Sequence, residues 1–127
     1  MKSFIIVLLL FGFIYAQEHH EKNHWHYKKD LTYLGLSKNQ KEKIKNILKE
    51  YRKDIKDYRE KREEISKEKQ KVFLENSFDE MKLKSINGKI NKLATEIEIR
   101  FLKRVHAILS NEQRRKFVKY INEWDIE

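Results

Sequence analysis

From Ile44 to Val72, apolar side chains recur in alternating steps of four and three. They are Ile44, Leu48, Tyr51, Ile55, Tyr58, Ile65 and Val72, with Arg62 and Lys69 occupying the remaining seam positions. This spacing predicts one amphipathic helix with a heptad-like seam, running from about residue 38 to 75. At 1.5 Å per residue such a helix is about 57 Å long. A chain of 127 residues cannot wrap that length in a compact ball. The seam therefore calls for a partner, and a two-fold pairing with a second copy is the usual solution. Composition agrees: the chain has no Pro and only three Gly, which argues against a turn-rich β fold.

The helix ends are marked. Ser37-Lys38-Asn39-Gln40 reads as a capping box, with the Ser hydroxyl accepting the Gln40 N–H and the Gln side chain reaching back to the Ser37 N–H. Ser77-Phe78-Asp79-Glu80 reads as a second box, opening a stripe of Leu83, Ile86, Ile90, Leu93, Ile97, Phe101, Val105 and Ile108. Gly88 inside this stripe marks a bend, a close helix contact or a tolerated substitution. Ser110-Asn111-Glu112-Gln113 is a third box, and Phe117, Val118, Ile121 and Trp124 outline a short C-terminal helix. A short helix from about Lys28 to Leu34, stopped by Gly35, is expected ahead of the long ones.

The N-terminus reads as a targeting segment. Lys2 precedes an apolar-rich run from Phe4 to Ile14, and Ala16 supplies a small residue for cleavage, so residues 1–16 are expected to be a secretory signal peptide. The run is shorter than the roughly 20 apolar residues a bilayer span requires. Cleavage after Ala16 leaves a chain of net charge +8, against +9 for the whole. Export out of the cytoplasm makes nucleic acid an improbable partner despite that charge, and confines membrane contact to the signal peptide during export. With no Cys, disulfides and thiolate chemistry are excluded, so helix packing or oligomerisation has to stabilise the exported domain.

Two of the boxes belong to a longer repeat. Leu36-Ser37-x-x-Gln40 recurs as Leu109-Ser110-x-x-Gln113, offset by 73 residues. Ile44, Leu48 and Tyr51 then correspond to Phe117, Ile121 and Trp124. In a small all-helical chain with an export signal, this pattern resembles the Spy/CpxP family, whose signature is a pair of LTxxQ motifs. Here Ser stands for Thr in both copies, and Ser caps at least as well. The resemblance implies an all-α domain over residues 28–127, with four helices (short, long, long, short) in an elongated α-hairpin. It also implies an antiparallel homodimeric cradle. It further implies a periplasmic, ATP-independent chaperone for unfolded or aggregation-prone exported proteins in an envelope-stress response. Other members restrain stress sensors or bind metal. Leu36, Ser37, Gln40, Leu109, Ser110 and Gln113 are read as structural: they start helices and pack turns.

Two surfaces are candidates for work. Between Lys38 and Arg62 there are eleven basic and five acidic residues, and Lys41, Lys45, Arg52, Lys56 and Arg59 lie beside Tyr51 and Tyr58. Residues 100–119 carry seven basic residues, Arg100 and Arg104 among them, and one acidic. These nine named residues are the candidate client-binding set, with charge speeding capture and aromatic groups giving weak contact. The second surface is the tail of residues 17–27, expected to be flexible, where His19, His20, His24 and His26 could converge on Zn, Cu or Ni. His20-Glu21-Lys22-Asn23-His24 matches the HExxH pattern, but that chemistry needs a helix beside a cleft and a third ligand. No catalytic residues are assigned, no cofactor is required by the sequence, and the chain is not expected to be an enzyme.

Overall fold

The computed structural model describes residues 31–126, which fall into one unit ending at Gly35 and a second beginning at Leu36. The expected signal peptide, the His-rich tail and the start of the expected first helix lie outside the described residues. The second unit contains three α-helices: α1 (Lys38–Leu74), α2 (Glu80–Ile108) and α3 (Asn111–Val118). A 3-10 turn, Ile121–Trp124, follows α3. Among the described residues there is no strand.

Cross-helix pairs show that α1 and α2 run antiparallel. Asp54 meets Arg100, Tyr51 meets Phe101, and Glu50 meets Arg104, so positions ascending in one helix meet positions descending in the other. The seam residues do the packing. Ile44, Leu48, Tyr51, Tyr58, Ile65 and Val72 of α1 are buried, joined by Ile47, and Ile86, Ile90, Ile97, Phe101 and Val105 of α2 are buried too. Leu83, Leu93 and Ile108 complete the α2 stripe half-buried, as does Ile55 in α1. Arg62 holds its seam position differently: its guanidinium lies 5.7 Å from the centre of the Tyr58 ring, a cation–π contact. The long seam is thus closed within one chain, and does not by itself call for a second copy.

Three boundaries differ from the sequence reading. The N-cap of α2 is Asp79, whose carboxylate accepts the Lys82 N–H at 3.0 Å, so the helix starts two residues after the expected Ser77 box. A carboxylate suits the positive end of a helix better than a hydroxyl, and the later start lengthens the reversing loop. The expected C-terminal helix breaks at Lys119, and the separate 3-10 turn carries Trp124 into the core while Val118 stays exposed. The expected first helix is, in its described part, a single 3-10 turn, Thr32–Leu34, ended by Gly35 in the left-handed conformation.

The two described glycines have opposite roles. Gly35 has φ +63°, a conformation that L side chains rarely adopt. Gly88 is exposed in mid-helix with open space where a Cβ would point, so it marks no close helix contact. Gly88→Ala is expected to stabilise the protein by about 1 kcal/mol, because it removes only unfolded-state freedom. Gly35→Ala is expected to destabilise by a similar or larger amount. Thermal melts of the two variants should therefore move in opposite directions.

Candidate functional site

The two repeat motifs meet. In each, the capping box forms as expected: the Gln40 N–H donates to Ser37 Oγ at 3.2 Å, and the Ser37 N–H donates to Gln40 Oε1 at 2.9 Å. The Ser110–Gln113 box repeats this at 3.3 and 3.0 Å. The glutamines then pair with each other. Gln40 Nε2 donates to Gln113 Oε1 at 2.8 Å, and Gln113 Nε2 donates to Gln40 Oε1 at 3.0 Å. Gln40 Nε2 also donates to the Ile108 carbonyl at 3.0 Å, at the C-terminal end of α2. Each Oε1 accepts two N–H groups, so both of its lone pairs are used. At neutral pH an ionised Glu in either place could accept from its N-cap but could not donate to its counterpart.

Other groups reinforce this end of the hairpin. Arg114 donates through Nε and Nη2 to the His106 carbonyl at 3.1 and 2.8 Å, satisfying the end of α2. Leu109 is buried and Leu36 half-buried. Nearby, Tyr51, Phe101 and Trp124 form a ring cluster with centroids 4.4, 5.3 and 4.5 Å apart, and Phe117 lies 6.5 Å from Trp124. Tyr51 and Trp124 are repeat counterparts, so the two halves of the repeat touch at matching positions, once through amides and once through rings.

The cluster corrects the reading of the aromatic residues. Tyr51 and Tyr58 are buried, at 7% and 6% exposure, and offer no exposed contact points on this unit. Arg100 and Arg104 are also engaged: Arg100 donates to Asp54 at 2.8 Å, and Arg104 pairs with Glu50. Lys41, Lys45, Arg52, Lys56 and Arg59 stay exposed. The candidate His ligands His19, His20, His24 and His26 lie outside the described residues. Among the described residues no group of three or more His, Asp or Glu side chains could hold a metal ion.

A surface the sequence reading missed lies at the opposite end of the hairpin. Phe73, Leu74, Phe78 and Met81 are 77%, 81%, 56% and 73% exposed. Phe73, Leu74 and Phe78 border a shallow groove of about 660 Å³, into which Val72 and Leu83 also face. Clustered exposed apolar groups of this kind mark interaction sites. The available signal was phase: Phe73, Leu74 and Phe78 all fall outside the heptad steps.

An all-helical hairpin closed by twin, mutually bonded capping boxes defines the class of this protein. A family model described as LTXXQ motif family protein matches residues 22–120, and the chain belongs to that family, which includes Spy/CpxP-type proteins. No curated protein and no solved structure matches the chain. Members of the family are typically periplasmic, and no helix among the described residues is long and apolar enough to cross a membrane.

Two outcomes follow from this geometry. Gln113→Glu replaces a donor with a carboxylate oxygen facing Gln40 Oε1, and should destabilise the protein by about 2 kcal/mol at neutral pH. Urea unfolding should show the deficit shrinking at mildly acidic pH, where the protonated acid donates again. Burial, reinforced by Glu98, pushes the Tyr51 phenol up from 10.0 to about 12. The fold favours the neutral phenol, so its contribution to stability is complete below pH 10 and is lost as pH rises toward about 12. Alkaline titration should therefore show a delayed tyrosinate fraction that appears together with loss of helix. Tyr51→Phe should abolish that fraction.

Proposed function

We propose that the chain is an ATP-independent periplasmic chaperone, and that it holds unfolded or aggregation-prone proteins at the apolar tip of its helical hairpin. The exposed cluster of Phe73, Leu74, Phe78 and Met81 carries this reading. Weak apolar contact is tolerant of client sequence, and reversible binding competes with aggregation without an energy source. The chain's net charge of +9 adds long-range attraction for acidic stretches of a client. Family membership and the usual periplasmic setting of the family support the same reading. The homodimer rests on the family resemblance alone, since the seam is closed within one chain.

Purified protein in several-fold molar excess should suppress light scattering from a denatured client diluted into low-salt buffer. The triple substitution Phe73→Ser, Leu74→Ser, Phe78→Ser should remove most of that suppression with the helical signal unchanged. These side chains are exposed, so each change should alter stability by only about 0.5 kcal/mol. Full suppression by the triple variant would show that clients bind elsewhere.

A further inference from the structure

Six cations of α1 share one face. Lys41, Lys45, Lys49, Arg52, Lys56 and Arg59 follow one another in steps of three or four, which places them in one stripe along the helix. The stripe is about 27 Å long, with a cation roughly every 5 Å. All six are exposed, and none forms an ion pair among the described residues. Glu50, Asp54 and Asp57 lie on the opposite flank, where Glu50 and Asp54 pair with Arg104 and Arg100 of α2. Glu50 and Asp54 thus tie the hairpin together from one flank of α1, and the six cations occupy the other, with Glu42, Glu60 and Glu63 at its border.

We propose that this stripe moors the protein to an anionic lipid surface. Like charges spaced three or four residues apart repel and weaken a helix, so the row carries a cost that facing anions remove. A row on the outside of a continuous helix suits a flat array of phosphate headgroups, which can meet every cation, whereas a small anion reaches two at most. Lys and Arg stems are long enough to lie along the helix while their heads reach the headgroups. The apolar seam residues between the cations, Leu48 and Tyr51, are buried, so the stripe offers an unfolded protein little apolar contact. The setting is the membrane surface of the compartment where the family resides. Moored along α1, the protein keeps its apolar tip available for clients.

Flotation of the full chain with phosphatidylglycerol–phosphatidylcholine vesicles, against phosphatidylcholine vesicles alone, tests this. The quantity read is the excess of binding to the anionic vesicles, so any anchoring by the apolar N-terminal run cancels. The excess should be large at low salt and fall as added salt shortens the screening length. Lys45→Gln, Arg52→Gln, Lys56→Gln should reduce it on the order of a hundredfold. The matched triple Lys84→Gln, Lys89→Gln, Lys103→Gln, which removes the same charge from exposed positions of α2, should reduce it far less. Equal losses from the two triples would reduce the effect to net charge and overturn the proposal. So would the absence of any excess, or complete displacement from vesicles by stoichiometric soluble polyphosphate. The tip variant should bind vesicles like the wild type, so failure of the chaperone reading leaves this result readable on its own.

Discussion

The reciprocal amide pair between Gln40 and Gln113 is the contact on which the hairpin depends. It joins the first turn of α1 to the first turn of α3, and through the Ile108 carbonyl it also holds the end of α2. Three helix termini, each with backbone groups that the helix itself leaves unpaired, are satisfied within a few ångströms of one another. A Ser cap would start either helix alone. What the two glutamines add is register, since each amide is saturated only when its counterpart is in place. The ring cluster of Tyr51, Phe101 and Trp124 then packs against a geometry already set.

The rest of the hairpin follows from how little core two paired long helices can have. Two long helices bury one stripe each, and most of their other side chains meet solvent. In α1, Glu50 and Asp54 beside the seam on one side bind α2, while six cations on the other side form no ion pair among the described residues. Individually such exposed ion pairs contribute about 1 kcal/mol or less. Their larger consequence is the uneven charge they leave behind, with the stripe of cations facing outward.

At the far end, Phe73, Leu74, Phe78 and Met81 crowd around a five-residue reversal between α1 and α2, and no third helix among the described residues covers them. The Ser110 motif brings α3 and Trp124 back over the opposite end. One end of the hairpin is therefore closed by the repeat, and the other presents apolar surface.

Much of this was legible in the sequence. The 4-3 steps identify the buried seam almost residue by residue, because helix periodicity is a local property. The Ser-x-x-Gln boxes mark two helix starts, because capping needs only residues three apart. Less was legible where two local signals competed, as with Ser77 and Asp79, or where a stripe ran through a break, as at Lys119. Tyr51 and Tyr58 beside a run of lysines looked like a mixed binding face, since neighbours in sequence say little about which side of a helix a partner covers. The sequence by itself determined the helices, their ends and the seam. Only the tertiary structure decided that the two glutamines bond each other, that the tyrosines lie inside, and that the unpaired cations and apolar tip remain outside. Those outcomes depend on residues tens of positions apart being brought together, and local periodicity carries no information about that distance.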